Sequence, residues 1–478
     1  MPAATPPSAG RRIDALPGPS PWPLLGNLLK VDPLRMHTQL ERWADEYGPL
    51  YRFRLGRRKA VVVAEPEHIA TILRDRPDGW RRLRSMQTLI GEVGAHGVFS
   101  AEGDDWRRQR RLVMKAFDPP HLQRYFPSLL RVTERLRACL DAAADSGAAV
   151  DLQTLLMRYT VDVTAGLALG IDMNTQQHPD DALQGHLDQV FPMLMKRILA
   201  PFPWWRYVRL PSDRAFDRHL ARVHDAVEGL IAAARERMAH DHSLHDAPGN
   251  LLEALIAARD DEGSGLSERD LVGNVLTVLL AGEDTTANTL GWTLHLLHTH
   301  RDVRDELVEE VDAVLGDDRL PSRFDVARGF EAIEQCVEEA MRLRPVAPLL
   351  ILEANAATTV GDVALEPGTL AMCLMRPGAV DVRRSADARE FRPRRWQRDP
   401  GQRQDALQKA SMPFGAGPRL CPGRYLAMLE MKMVLATLMH NFELVSVGTE
   451  DGSAPEERLA FTMFAMGLKI RVAPRRLH

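Results

Sequence analysis

The chain has 478 residues, of which 45% are hydrophobic, and its 61 basic and 65 acidic side chains leave a formal charge of −4. This is the composition of a globular protein with ample core, and the balanced charge gives no sign of a nucleic-acid partner. The four cysteines lie far apart without a CxxC pair, which disfavours a disulfide framework or a zinc site. Neither a signal peptide nor about 18 continuous apolar residues occurs, so we expect a cytoplasmic protein with no transmembrane anchor.

The predicted elements begin with a flexible arm over residues 1–16, because residues 1–23 are rich in Pro, Gly and Ser. In residues 51–64, YRFRLGRRKAVVVA, two β-prone runs flank a Gly-Arg-Arg turn, which predicts a β-hairpin. The β-rich parts near 49–66 and 347–375 are separated by long stretches of helical periodicity. Because no clean linker interrupts residues 17–478, we predict a single, mainly α domain with a smaller β-rich lobe.

A long helix is predicted from Ser267 to about residue 300, because a serine followed by acidic residues is a typical helix start. Its middle, residues 281–286, reads AGEDTT between apolar flanks. Gly, Asp and Thr are weak helix formers, so this turn is locally weakened. One interpretation is that Gly282 allows a close approach to the backbone while Asp284 and Thr285 move protons. A hydrated turn of an amphipathic helix is the alternative.

Residues 414–423 read FGAGPRLCPG and come directly before a clear helix. Pro422 suits a first helical turn, so Cys421 is expected at or near the N-cap, where free N–H groups and the helix dipole stabilise a thiolate. Such a thiolate is a soft metal ligand. Cys139, Cys336 and Cys373 lie within apolar patterns and are predicted to be buried thiols.

This segment resembles the haem-binding loop of the cytochrome P-450 superfamily, Phe-x-x-Gly-x-Arg-x-Cys-x-Gly, at every fixed position. The resemblance implies the cytochrome P-450 fold, with haem b between the long helix and this loop. Cys421 is then the axial ligand of the haem iron. Phe414 packs near its sulfur, Arg419 reaches a haem propionate, and Gly417 and Gly423 are the fixed glycines of the loop.

Two further segments resemble structural motifs of the same family. Glu339-Ala-Met-Arg342 resembles its Glu-x-x-Arg signature, and residues 391–396, FRPRRW, resemble its Phe-x-Pro-x-Arg segment. The resemblance adds Arg395 to a structural network with Glu339 and Arg342. Spacing alone is also compatible with a weak surface ion pair.

A third segment, in the first half of the chain, resembles the family's Trp-x-x-x-Arg motif. Trp106 and Arg110 match it and are implied to face a haem propionate. The neighbouring Arg107, Arg108 and Arg111 form either a basic docking surface for an acidic electron donor or a solvated charge run.

Residues 281–286 also resemble a family signature, that of oxygen activation. Ala281 and Gly282 begin it, and Asp284 and Thr285 match the acid–alcohol pair that supplies protons. This pair favours monooxygenation with O2 over a peroxide-driven or isomerising reaction. A non-catalytic haem-binding sensor is a further alternative.

The absence of an apolar amino-terminal anchor makes the chain similar to the soluble, bacterial-type members of the family. Its resemblance to them extends over about residues 17 to 475, so the electrons are expected from a separate ferredoxin or flavodoxin-type donor with its reductase.

The substrate pocket implied by the resemblance has an apolar lining, which suits an apolar small molecule. Several of its residues could instead be core. The strand after Pro345 lacks the arginine that many relatives carry near its end, since LLILE occupies residues 349–353. The candidate lining residues are Leu89, Ile90, Val93, Val98, Val346, Leu349, Leu350, Phe461, Met463 and Phe464.

Overall fold

Helices dominate the structure of the protein, a computed structural model that is 58% helical. The structure describes residues 10–178, 182–198, 200, 202–260, 265–397 and 404–475. Its α-helices are α1 Met36–Tyr47, α2 Pro66–Arg74, α3 Arg84–Glu92, α4 Gly103–Ala116, α5 Pro119–Ser146, α6 Leu152–Leu169, α7 Ala182–Ile198, α8 Pro211–His240, α9 Ser243–Asp246, α10 Leu251–Asp260, α11 Glu268–Thr299, α12 Arg301–Leu315, α13 Phe324–Gly329, α14 Glu331–Leu343, α15 Ala406–Ala410 and α16 Arg424–Asn441.

The strands are short and form small sheets. They are β1 Arg11–Arg12, β2 Leu50–Leu55, β3 Arg58–Val63, β4 Trp80–Arg82, β5 Val150–Asp151, β6 Leu349–Ala354, β7 Thr358–Val360, β8 Val363–Leu365, β9 Leu370–Leu374, β10 Phe442–Gly448, β11 Glu457–Leu459, β12 Met463–Ala465 and β13 Lys469–Pro474. The largest sheet has the strand order β2-β3-β9-β6-β4. Its first two strands are the predicted hairpin, and the mainly α fold class with a smaller β content is confirmed.

The chain divides into two compact units, each assembled from segments that are distant in sequence. The first unit comprises residues up to Gln87, Glu338–Cys421 and Glu457–Phe464. The second comprises Thr88–Val337, Pro422–Glu456 and the residues from Ala465 onward. The largest sheet belongs to the first unit and α11 to the second. The single domain predicted over residues 17–478 stays a prediction.

The five-stranded sheet of the first unit has an apolar core on each face. Successive side chains of a strand point to opposite faces. On β6, Leu350 and Leu352 pack in the cluster shared with α2, and Leu349 and Ile351 pack in the cluster shared with α1. Ala416 of the Cys421 loop packs against the α2 cluster. The loop and alternate residues of β6 therefore share one face of the sheet.

In the second unit, α11 begins where the sequence predicts it. The Ser267 hydroxyl accepts from the Asp270 N–H at 3.1 Å, and an Asp270 carboxylate oxygen accepts from the Ser267 N–H at 2.9 Å. This reciprocal capping box satisfies two N–H groups at the helix start. The helix ends at Thr299, in agreement with the predicted end near residue 300.

The helices α6 and α11 come into very close contact at Gly282. A Cβ on Gly282 would lie only 2.3 Å from the Thr164 hydroxyl oxygen of α6. The close approach predicted for this glycine is therefore made by another helix. This contact accounts for the glycine by helix packing, and its expected place in the catalytic turn stays a prediction.

The predicted flexible arm is partly attached to the fold. Arg11 and Arg12 form a parallel ladder with Val363 and Ala364, and Leu16 is only 2% exposed. Backbone hydrogen bonds and burial of one leucine hold residues 10–16, so the expectation of a loose arm is wrong for them. Residues 1–9 of the arm lie outside the described residues.

We expect Gly282→Ala to lower the free energy of unfolding by about 1–3 kcal/mol, the usual cost of overpacking. The added methyl group would force α6 and α11 apart. Urea unfolding followed by circular dichroism measures the change. Gly229→Ala is the control, because a Cβ there meets nothing within 4 Å and Ala favours a helix by roughly 0.5–1 kcal/mol. Equal stabilisation by both substitutions would contradict the packing argument.

Candidate active site

The segment 414–423 forms a closed loop. The Cys421 N–H donates to the Phe414 carbonyl oxygen at 3.0 Å. Gly417 has a φ of 69°, and a Cβ there would lie 2.7 Å from the carbonyl oxygen of Leu73 at the end of α2. Glycine is therefore required at 417 both by backbone conformation and by space. The loop holds Cys421 half-buried.

The start of α16 differs from the prediction. The helix begins at Arg424 with Gly423 as its N-cap, so Cys421 precedes the cap by two residues. Pro422 and Gly423 form a turn before the helix. Cys421 therefore lies near the N-cap, as predicted, but not at it, because the cysteine N–H closes the loop onto Phe414 and the chain turns once more before α16. The expected place of Pro422 in the first helical turn is wrong.

The other three cysteines are poorer ligand candidates. Cys336 is 2% exposed and Cys373 is 0% exposed, as predicted. Burial raises the pKa of Cys373 to about 12 and also raises the pKa of the half-buried Cys139. Raised pKa values keep these thiols protonated, and a protonated thiol is a poor metal ligand.

The Glu339 and Arg342 side chains form a bidentate ion pair that is fully buried. Arg342 Nε and Nη2 lie 2.8 and 2.7 Å from the two carboxylate oxygens, and both side chains are 0% exposed. The guanidinium also donates to the carbonyl oxygens of Ala379, Ala388 and Glu390 at 2.6, 2.5 and 3.0 Å. This burial is inconsistent with a surface ion pair.

Further donors surround Glu339. Trp396 Nε1 and the Arg392 N–H donate to its two carboxylate oxygens, both at 2.9 Å. Arg395 Nε lies 3.4 Å from one of these oxygens, and its Nη2 lies 3.2 Å from Asp387. The structure thus brings Glu339, Arg342 and Arg395 together, and the chain from 379 to 396 wraps around them.

Helix α4 carries the Trp-x-x-x-Arg residues. Trp106 is 5% exposed, and the half-buried Arg110 follows one turn later on the same face. Between them, Gln109 donates to Asp270 at 3.1 Å and accepts from Asn274 at 2.9 Å. This buried amide ties α4 to the start of α11 and fixes the orientation of the Trp106 and Arg110 face.

The neighbouring arginines are engaged within their own helix. Arg107 pairs with Asp104 at 2.6 Å, and Arg108 pairs with Asp105. These intrahelical pairs neutralise much of the charge run, so a strongly basic docking surface on α4 is not supported. Arg111 is exposed.

The middle of α11 presents one small exposed side chain. In the continuous described stretch 270–297, Ala281 alone is exposed. The Thr285 hydroxyl, one turn later on the same face, donates to the Ala281 carbonyl oxygen at 3.0 Å. Burial raises the pKa of the half-buried Asp284 to about 6. An acid and a hydroxyl thus adjoin an exposed alanine, and the proton-moving role of this turn stays a prediction.

Comparison with known proteins decides the family. The family model described as Cytochrome P450 matches residues 16–471. The chain belongs to the cytochrome P450 family. It is 30% identical to Cytochrome P450 94B3 of Arabidopsis thaliana over 458 residues, covering 91% of this chain and 87% of that protein. It is 27% identical to Cytochrome P450 3A6 of Oryctolagus cuniculus over 443 residues, covering 89% and 85%.

A solved structure shows the same fold. The crystal structure of the cytochrome P450DA heme domain matches with a TM-score of 0.86 and 23% identity, covering 98% of this chain and 99% of that one.

Membership of the cytochrome P450 family makes the protein a haem-thiolate monooxygenase, an oxidoreductase that uses O2 and redox partners. Among the described residues, every helix is too short or too polar to cross a bilayer.

The residues of this P450 fit a haem. The Cys421 thiol is half-buried at the end of a closed loop, and Arg419 lies in the same loop. Within residues 270–297 of α11, in the second unit, the one exposed residue is Ala281, whose side chain is small and apolar. The Cys421 sulfur is a soft ligand that suits the haem iron, the Arg419 guanidinium is a cation that suits a propionate, and the Ala281 side chain is an apolar group that suits the porphyrin ring.

Glu430 on α16 is a buried acidic residue of this P450 that was not predicted from the sequence. Glu430 is only 2% exposed and is hydrogen-bonded to the Thr286 hydroxyl, next to Thr285 on α11. Burial raises its pKa well above the usual value. The sequence pattern that could have revealed Glu430 is a charged residue in an apolar helix. Lys432 of the same helix fits this pattern too, but it forms an ion pair with Glu334 at 2.6 Å, so the pattern alone does not single out Glu430.

The candidate pocket residues of the P450 divide into core and partly exposed positions. Met463 is 0% exposed, and its N–H donates to the Val346 carbonyl oxygen at 2.7 Å. Leu349 and Leu350 point to opposite faces of β6, so they cannot both line one pocket. Leu89, Ile90, Val93 and Val98 are buried at 3, 6, 3 and 7% exposure, which fits the core alternative, and Val346, Phe461 and Phe464 are half-buried.

We expect Glu339→Ala to lower the free energy of unfolding by about 3–5 kcal/mol, because it leaves the Arg342 charge buried and unpaired. Urea unfolding measures the loss. Arg342→Lys, which keeps the charge but loses the bidentate fork, serves if Glu339→Ala does not accumulate.

The matched control is Lys59→Ala, which removes an exposed ion pair to Asp14 in the same unit. Its cost should stay below about 1 kcal/mol. Similar losses in Glu339→Ala and Lys59→Ala would contradict the assignment of a buried network.

Proposed function

We propose that the protein uses haem b to insert one oxygen atom from O2 into an apolar organic compound. The carrying observation is Cys421, a half-buried thiol in a closed loop that matches every fixed position of the family's haem-binding pattern. When bound, the haem supplies oxygen activation, which a thiolate ligand favours by donating electron density to the iron.

The cofactor is held, in this proposal, by residues whose chemistry matches parts of haem. Cys421 ligates the iron, and the left-handed conformation of Gly417 gives the loop its path towards the sulfur. Gly423 follows the cysteine as the N-cap of α16. The N–H groups of arginine and of the tryptophan indole can donate hydrogen bonds to the carboxylates of the haem propionates. The proposed propionate partners are Arg419, Trp106 and Arg110, with Phe414 beside the sulfur and Ala281 beside the ring.

Protons are supplied, we propose, by Asp284 and Thr285. A carboxyl group with a pKa of about 6 binds and releases protons near neutral pH. The Thr285 hydroxyl donates to the Ala281 carbonyl oxygen at 3.0 Å and keeps acceptor capacity for another donor. The pair can therefore pass protons along the exposed side of α11.

The electron donor is proposed to be a ferredoxin or flavodoxin-type protein with its reductase. The internal pairing of Arg107 and Arg108 argues against α4 as its main docking surface.

The apolar side chains of Val346, Phe461 and Phe464 support an apolar substrate, since they retain partial exposure. The cytoplasmic location stays a prediction.

The ligand assignment is tested by the spectrum of the reduced protein before and after carbon monoxide. The wild type should show the strongly red-shifted Soret band of a thiolate-ligated carbonyl haem, and Cys421→Ser should lose it. Cys139→Ser, which changes another cysteine that is not fully buried, should keep it. Retention of the band in Cys421→Ser would contradict the ligand assignment.

The proton pathway predicts a pH dependence of coupling. The Asp284 pKa of about 6 means that its carboxyl is protonated below that pH and ionised above it. The product formed per electron pair should therefore fall as pH rises from 6 to 8, because the protonated fraction of a group with a pKa of about 6 drops from about one half to about one hundredth.

Asp284→Asn should remove this pH dependence, and Thr285→Ala should reduce product per electron pair by about tenfold or more. An apolar compound chosen by its binding spectrum serves as substrate. Thr293→Val is the control, because the Thr293 hydroxyl makes the same type of bond, to Thr289, two turns further along α11. An unchanged pH profile in Asp284→Asn would exclude the proposed acid.

A further inference from the structure

A small cavity lies in the first unit between the amino-terminal arm and the β2–β3 hairpin. Its volume is about 220 Å³, and Arg52, Arg54 and Lys59 of the hairpin line one part of it. Asp14 and Pro19 of the arm line another part. The cavity is smaller than the roughly 300–1,000 Å³ of sites for drug-sized ligands, so it suits a small molecule or a single polar group.

The three basic side chains of the hairpin share one face. Arg54 is directly opposite Lys59 in the antiparallel pairing, and Arg52 lies two residues before Arg54 on β2. Directly opposite residues share a face, as do alternate residues of one strand. Three cations are therefore gathered beside the cavity, where like charges repel one another unless an anion lies between them.

One carboxylate faces these three cations. Lys59 Nζ lies 2.7 Å from an Asp14 carboxylate oxygen, and this hydrogen bond lowers the pKa of Asp14. Arg52 donates to a neutral acceptor, the Asp14 carbonyl oxygen, at 2.7 Å. Arg54 Nε is buried without a hydrogen bond, and its guanidinium forms no ion pair with any described residue. The two arginine charges therefore stay uncompensated, and residues 1–9 contain no acidic side chain that could balance them.

Backbone contacts hold the arm against β2 next to the cavity. The Arg52 N–H donates to the Pro17 carbonyl oxygen at 2.9 Å, and the Asn27 N–H donates to the Arg54 carbonyl oxygen at 2.8 Å. A Cβ on Gly26 would lie only 2.4 Å from the same Arg54 oxygen, so the two backbones are in direct contact. A site whose walls are fixed before binding loses less entropy when a ligand enters it.

We propose that Arg52 and Arg54 bind the phosphate group of a small phosphate monoester. Two uncompensated positive charges match such a group, which carries about −1.5 to −2 charges near pH 7. The planar guanidinium fork donates paired hydrogen bonds to phosphate oxygens. Ile13, Pro19 and Pro21 also line the cavity and offer an apolar surface to the organic part of the ligand. The site uses none of the residues proposed to hold haem, so it is a function beyond oxygen insertion.

Isothermal titration calorimetry of the full-length holoprotein with inorganic phosphate tests the site. The titration is made at about pH 8, where phosphate is mostly doubly charged, and at constant ionic strength. The wild type should bind phosphate saturably, and acetate, which has a single charge, should bind more weakly. Arg54→Gln should weaken phosphate binding about tenfold or more, because it removes charge-assisted hydrogen bonds. If Arg54→Gln does not accumulate, Arg54→Lys serves, since it keeps the charge but loses the fork.

Arg57→Gln is the matched control, because it removes the same charge from the same hairpin. Arg57 is exposed in the turn between β2 and β3, and among the described residues it has no ion-pair partner and does not line the cavity. Its phosphate affinity should stay within about twofold of the wild type, since salt screens a distant exposed charge. Equal losses in Arg54→Gln and Arg57→Gln would indicate unspecific attraction to basic side chains and would overturn the proposal. So would the absence of saturable binding in the wild type.

Hydrogen exchange measured by mass spectrometry locates the bound phosphate. Because the cavity adjoins the arm, phosphate should slow amide exchange over residues 13–27 in the wild type and in Arg57→Gln, but not in Arg54→Gln. Saturable binding that slows exchange only in another part of the chain would overturn the placement of the site.

Discussion

The path of the chain between β9 and the Cys421 loop depends on the buried ion pair of Glu339 and Arg342. Both side chains are 0% exposed, and a buried charge costs several kcal/mol unless hydrogen bonds satisfy it. The chain therefore brings backbone carbonyls from residues 379–390 to the guanidinium and the turn at 392–396 to the carboxylate. The segment 379–396 is mostly irregular, and its hydrogen bonds to the buried ion pair hold it in place where a helix or strand would use its own backbone hydrogen bonds.

A second constraint acts on α11, which combines tight packing with polar groups. Gly282 lets α6 approach closely, and the buried Gln109 joins α4 to the first turns of the helix. These contacts hold α11 firmly on several sides, while Ala281, Asp284 and Thr285 keep some exposure. The weak helix formers of this turn are tolerated because tertiary contacts supply the stability that local propensity does not.

Much of this structure could be read from the sequence. The hairpin at β2 and β3 follows from two β-prone runs around a turn, and the start of α11 follows from its Ser267–Asp270 capping box. Cys421 and the Glu339 pair were recognisable because their segments resemble motifs of the family. Features that depend on a few neighbouring residues were predictable.

Features that depend on distant parts of the chain were not predictable. Pro422 was expected in the first helical turn, but it lies in a turn before α16, and the Cys421 N–H bonds to Phe414 in the folded loop, which a helix-start pattern does not reveal. The pairing of β10 with β13 joins strands about twenty residues apart that carry no tight turn between them. The register that sets Arg82 opposite Leu352 joins positions separated by most of the chain. The buried state of Glu430 depends on which helices cover it.

The burial of Glu430 has a thermodynamic consequence. The formal charge of −4 counts this carboxyl as an anion, but its pKa is raised well above 4.5, so the folded chain retains a proton that the unfolded chain releases. Folding above pH 4.5 therefore takes up a proton. By linkage, the fold loses stability as pH rises until Glu430 ionises in place. The burial of Glu430, which the hydrogen bond to Thr286 only partly offsets, thus makes the free energy of unfolding fall as pH rises above about 4.5.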